Sequence, residues 1–176
     1  MSSPHKIPRA AAVLALALAL ALAGTARGEI KVGDVFPPLA AAGPADPGLP
    51  ATSGRVVLVD FWASWCAPCK SSFPAYARLY ADYAPRGLVV VAVSIDNSAD
   101  DYAAFVRKHR PPFPTVRDRD QGLVSTVAIP GMPTSYLIGR DGRVRYVHEG
   151  FHTGETERTL RAEIQSLLAE PAGGPP

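Results

Sequence analysis

The stretch Val56 to Lys70, VVLVDFWASWCAPCK, constrains this chain more than any other. Val56 to Trp62 is apolar except at Asp60, the composition and length of a strand covered on both faces. Cys66 and Cys69 follow at once, where such a strand turns into a helix, and they are the only two cysteines in the chain. A thiol at a helix N-terminus lies beside unsatisfied N–H groups and the positive end of the macrodipole, and both favour thiolate. With two cysteines on one helical turn, the second can attack a mixed disulfide formed by the first. The spacing points to thiol–disulfide exchange. A purely structural bridge is the competing reading, but a loop holding only Ala67 and Pro68 gains little stability from closure.

The N-terminus reads as an address. Lys6 and Arg9 precede an unbroken apolar run from Ala10 to Ala23. As a helix that run would be roughly 21 Å long against a hydrocarbon core of about 30 Å, so residues 1–26 fit a signal peptide better than a membrane span. Cleavage is expected after Ala23 or Ala26, with an uncleaved N-terminal membrane anchor as the alternative. Of the 18 basic residues the segment holds two, and of the 16 acidic ones none, so the rest of the chain carries 16 of each. A chain without net charge or a basic run gives no electrostatic case for nucleic acid. Expected localisation is therefore periplasmic or otherwise extracytoplasmic.

Residues 27–54 read as an N-terminal extension with one short strand between Ile30 and Ala40 and an Ala/Pro/Gly-rich loop after it. Val56–Trp62 is the first central strand. The helix that follows carries Ala75, Tyr76, Leu79, Tyr80 and Tyr83 on one stripe; Pro74 should kink it, and Pro85 and Gly87 end it. Leu88–Ile95 is a second buried strand. Ser98 is placed to cap a helix bearing Tyr102, Phe105, Val106 and His109, which Pro111 and Pro112 stop. A short strand is expected in 113–118 and a short helix in 121–128. Thr134–Gly139 and Val144–Glu149 flank Asp141-Gly142, a two-residue hairpin signal. A last helix spans about 156–170, with Thr153 as its cap and Leu160, Ile164, Leu167 and Leu168 as its buried stripe. Residues 171–176 should be disordered. This order gives a three-layer α/β sandwich around a central mixed β-sheet, with helices on both faces.

VDFWASWCAPCK resembles the active-site stretch of thioredoxins, and Gly131-Met132-Pro133-Thr134 resembles the loop that holds that family's cis-proline. Residues 55–170 fit a thioredoxin-like domain. The N-terminal features and the αβ insertion of 98–128 before the cis-proline loop are similar to the TlpA/ResA group of extracytoplasmic thiol:disulfide oxidoreductases. The resemblance implies a reductase of specific protein disulfides, in cytochrome c maturation or metal-site assembly, that draws electrons from a membrane thiol-electron transporter. Its only redox group is the Cys66–Cys69 disulfide, with no other cofactor and no metal. Cys66 would be the nucleophile and Cys69 the resolving thiol, with Ala67 and Pro68 tuning the redox poise. Trp65, Met132 and Pro133 would bind substrate, the backbone of Met132 pairing with an extended segment. Asp60 would move the proton of Cys69, and its apolar neighbours make it a buried carboxyl with a raised pKa. Where many TlpA/ResA reductases carry a Glu three residues after the second cysteine, this chain has Ser72.

Three other readings compete. A copper-binding metallochaperone would use Cys66, Cys69 and a histidine. Related copper carriers have three residues between their cysteines, and His148 lies far beyond the roughly 12 to 15 residues that separate zinc-finger pairs. His148 and His152 read as one partly packed and one surface histidine, and His109 as structural. A peroxidase of the same fold, with antioxidant activity, would need a Thr-x-x-Cys nucleophile, and no threonine precedes Cys66 at that spacing. A disulfide oxidase would use the same cysteines in the opposite direction.

Overall fold

The computed structural model describes residues 28–43 and 48–171. Residues 1–26, where a signal peptide is expected, and 172–176 of the expected disordered tail lie outside the described residues. Among those described, no helix is long and apolar enough to cross a membrane.

Strand β1, Val56–Trp62, is buried at every position because it lies in the middle of the sheet. It pairs in parallel with β2, Leu88–Ser94, and antiparallel with β4, Thr134–Ile138. Beyond β2 lies the three-residue β3, Thr115–Arg117, and beyond β4 lies β5, Val144–Glu149, giving the order β3-β2-β1-β4-β5. Three parallel strands joined to an antiparallel hairpin make the mixed sheet that the order of elements implies.

Strand alternation divides the core. Val56, Leu58 and Trp62 face helices α1, Ala67–Tyr83, and α4, Glu155–Ala169, through Leu79, Tyr83, Leu160 and Ile164. Phe105 of α2, Ala99–His109, joins the same cluster. Val57, Val59 and Phe61 face the other way, toward Leu123 and Val127 of the short α3, Gly122–Val127, and toward Phe36. Helix α1 continues through Pro74, whose ring removes one N–H but leaves the helix unbroken. Arg140 donates to the carbonyls of Leu167, Leu168 and Glu170, satisfying acceptors that the C-terminus of α4 leaves open.

Several local details differ from the sequence reading. Residues 28–43 form no strand, only a single bridge from Val35 to Arg143 and a 3-10 turn at Leu39–Ala42. This segment seals the back of the sheet, with Phe36 against Tyr136 at 5.4 Å and the Ile30 N–H donating to Val127 O. The β4–β5 connection is a three-residue loop. Gly139 still pairs with Arg143, the Gly142 N–H closes a turn onto Gly139 O, and only Gly142 takes positive φ, at 77°. Thr153 does not cap α4; Gly154 occupies that position at φ 80°, and the Thr156 hydroxyl accepts from His152 N–H instead. Ser98 does cap α2, accepting from Asp101 N–H at 3.1 Å.

Helix α3 depends on a residue outside it. Its own N-cap, Gln121, has no capping side chain, and the buried Asp118 carboxylate accepts from the N–H groups of Gly122, Leu123 and Val124. A Cβ at Gly122 would lie 2.8 Å from Ala41 O, so this helix start also demands glycine. Asp118→Ala leaves three backbone donors at the start of α3 without their acceptor and should lower stability by about 2–3 kcal/mol in urea unfolding. A loss under about 0.5 kcal/mol, the usual size for an uninvolved surface position, would show that the carboxylate does not hold α3.

Candidate active site

Cys66 is the N-cap residue of α1: its backbone is extended, and its Sγ accepts from the Cys69 N–H at 3.3 Å. That N–H has no partner within the helix, so the cap both satisfies it and aims a positive dipole at sulfur. Cys66 and Cys69 are disulfide-bonded, with Cα atoms 5.3 Å apart. Cys66 keeps 6% exposure and Cys69 none, the order expected of an attacking and a resolving sulfur. Ala67 and Pro68 are exposed in the first turn, where the missing proline N–H removes nothing the helix uses. Trp65 stands out beside them at 66% exposure.

The loop that presents Cys66 is held by a residue the sequence reading passed over. Asp96, buried just beyond β2, accepts from the Ser64 N–H and hydroxyl and from the Ser94 hydroxyl. Its signal was the run of Ser94, Asp96 and Asn97 ending an apolar strand. Behind the loop, Trp62, Phe73 and Phe105 pack ring on ring at 4.3 to 5.1 Å, giving the pair a rigid apolar floor.

Met132–Pro133 is a cis peptide bond, in the loop entering β4. Pro133 is buried and Met132 half-buried against the same cluster that contains Cys66 and Cys69. Pro133 O accepts from Gly150 N–H at 2.7 Å, and the Thr134 hydroxyl donates to Gly131 O, so the loop is pinned on both sides. Among the described residues, the Met132 backbone makes no hydrogen bond.

Asp60 lies in β1 between Ala92 and Ser135, on the face that α1 covers, and has no solvent exposure. The Tyr76 hydroxyl donates to its Oδ1 at 2.9 Å, while Oδ2 has no hydrogen-bond partner. Burial pushes the Asp60 carboxyl well above the usual carboxylate range, and the Tyr76 bond pulls it part of the way back. The Tyr76 phenol is also raised, first by burial and then by the Asp60 charge. Ser72, at the position of the Glu found in many TlpA/ResA reductases, is buried and donates to Cys69 O at 2.8 Å. The Tyr76 hydroxyl was missed from sequence, where Tyr76 counts as one of the apolar stripe of α1.

The histidines lie elsewhere. His148 Nε2 is 2.7 Å from Glu163 Oε2 in a half-buried pair, His109 stacks on Phe105 at 4.2 Å, and His152 is exposed. Among the described residues no three His, Cys, Asp or Glu side chains cluster as metal ligands do.

A family model described as the AhpC/TSA family matches residues 32–147, more than half of the chain. The chain belongs to the AhpC/TSA family. Within it, this member is 33% identical over 100 residues to the thiol-disulfide oxidoreductase ResA of Bacillus subtilis, covering 57% of this chain and 56% of that protein. It is 34% identical over 97 residues to ResA of Oceanobacillus iheyensis, covering 55% and 50%. The chain thus spans about half the length of the curated relatives it matches. A Chlorobium tepidum structure described as a thiol:disulfide interchange protein DsbE superposes with a TM-score of 0.69 at 33% identity, over 80% of this chain and 100% of that one. StoA of Bacillus subtilis superposes at 0.57 with 25% identity, over 64% and 84%. This AhpC/TSA member has the thioredoxin-like fold and falls with the TlpA/ResA-like group.

Burial of Asp60 makes a testable linkage. Its native pKa is raised, so the folded protein keeps a proton that the unfolded chain releases above about pH 4. That contribution to stability is fully present below pH 4 and is lost as pH rises toward the native value. Asp60→Asn removes the loss. Its urea midpoint should match wild type near pH 4 and exceed it at pH 8; equal midpoints at both would mean that the carboxyl is not held neutral.

Proposed function

We propose that this protein is an extracytoplasmic thiol:disulfide oxidoreductase that reduces specific protein disulfides through Cys66 and Cys69. The observation that carries the reading is the capped N-terminus of α1, with the Cys69 N–H directed at Cys66 Sγ. The similarity to proteins named thiol-disulfide oxidoreductase supports the same chemistry. Family membership alone does not favour the peroxidase, because Ala63 stands where a peroxidatic Thr-x-x-Cys needs its hydroxyl.

In the reducing direction, the Cys66 thiolate attacks one sulfur of a substrate disulfide, and the other substrate sulfur leaves with the electron pair. Cys69 gives its proton to Asp60 and attacks Cys66 Sγ. The Cys66–Cys69 bond forms, the mixed disulfide breaks, and the second substrate sulfur departs as thiolate. Two electrons have moved from the dithiol to the substrate. The unpaired Met132 backbone offers a strand-like edge for an extended substrate segment, and exposed Trp65 supplies apolar contact beside it. Ala67-Pro68 sets the poise. The cycle needs an external reductant, for which a membrane thiol-electron transporter suits an exported protein, and substrates awaiting haem or copper fit the TlpA/ResA likeness.

Trapping tests the division of labour. Cys69→Ser should accumulate mixed disulfides between Cys66 and extracytoplasmic proteins, seen as DTT-sensitive adducts by mass spectrometry, while Cys66→Ser captures none. Adducts on Cys66→Ser and none on Cys69→Ser would reverse the two roles.

A further inference from the structure

The exchange chemistry leaves the Tyr76 hydroxyl without a task. Tyr76 lies two helical turns beyond Cys69 and one beyond Ser72, on the buried face of α1, with 1% exposure. Its ring packs edge-on against Phe151 at 6.1 Å. A phenylalanine would make the same apolar contacts. Placing a hydroxyl and a carboxyl together out of water instead costs desolvation that a pair of apolar side chains avoids. Packing therefore does not explain why the site holds both.

The geometry of the carboxyl does. Tyr76 donates to Oδ1 at 2.9 Å, and Oδ2 is out of contact with solvent and has no partner. A protonated carboxyl has one O–H donor alongside its acceptor capacity. With Oδ1 accepting from Tyr76, the proton belongs on Oδ2. We propose that Tyr76 is a positioning residue: its hydroxyl occupies Oδ1, fixes the carboxyl plane of Asp60, and leaves Oδ2 as the oxygen that takes the proton of Cys69. The inference rests on the reading of Asp60 as the acceptor for that proton. In the resolving step the Cys69 S–H bond breaks toward Oδ2 and the Cys69–Cys66 bond forms. The bond from Cys66 to the substrate then releases its electron pair to the departing sulfur, with the substrate disulfide itself as the oxidant.

The surroundings make this readable. Across the sheet Asp60 is flanked by Ala92 and Ser135, neither of which titrates. From α1 it faces Tyr76, and in the oxidised protein the two cysteines are bonded to each other and do not titrate. The next groups outward, His148 opposite Ser135 and Glu163 on α4, are engaged with one another.

The test follows the Asp60 carboxyl carbon by NMR through a pH titration of the oxidised protein, in wild type, in Tyr76→Phe and with 3-fluorotyrosine at position 76. A neutral donor to a carboxylate favours the charged form, so losing it should raise the Asp60 midpoint by about one to two pH units. The more acidic fluorophenol should lower it. The pH profile of substrate release from the Cys66 mixed disulfide should shift with the midpoint, and Asp60→Asn should abolish its inflection. An inflection that survives Asp60→Asn overturns the Asp60 reading and this inference with it. One that Asp60→Asn abolishes but neither Tyr76 change moves overturns the inference alone.

Discussion

A carboxyl group is locked into the middle strand of the sheet, on the side where α1 covers it, and the site is arranged around that burial. Strand β1 is paired on both edges at Asp60, so Asp60 cannot turn toward water without breaking the register with β2 or β4. Ionising it there is costly, and neutralising it with a cation would require another buried charge. The structure supplies a phenol instead, one weak donor on one oxygen. The result is a buried carboxyl with one oxygen held by Tyr76 and the other left without a partner.

The upper half of the site follows from how β1 ends. Its last residues pass directly into the loop that Asp96 pins through Ser64, and that loop delivers Cys66 to the start of α1 as its cap. The helix dipole then acts on Cys66, while Cys69 is turned inward among Trp62, Phe73 and Ser72. Pro133 and Met132 arrive from β4, the neighbour of β1 on the other edge. One strand and its two partners therefore bring together residues that lie more than 60 positions apart in sequence.

Much of this was legible in the chain. The continuous apolar runs Val56–Trp62 and Leu88–Ser94 announced central strands, because only strands covered on both faces can be apolar at every position. The cysteine pair at a helix start and Asp60 as a buried acid followed from local sequence, and Cys69 as the deeper sulfur from the resemblance. The cis Met132–Pro133 bond came from the resemblance. What escaped were contacts set by how elements lie across one another. Tyr76 meets Asp60 only because α1 crosses β1 at that level, and Asp118 caps a helix it does not belong to. Gly154 displaces Thr153 as cap because a residue with positive φ is needed where the chain turns into α4. The extension makes no strand: its pairing is one isolated bridge, from Val35 to Arg143 just before β5.

Direction of electron flow is the central claim, and the equilibrium potential of the Cys66–Cys69 pair tests it most directly. Titration against glutathione or dithiothreitol buffers, read by mass shift after alkylation, gives the value. A protein that donates electrons to substrate disulfides should lie near the reducing end, at about −270 mV. A potential near about −120 mV, typical of strong oxidants, would contradict it and make the same cysteines those of an oxidase.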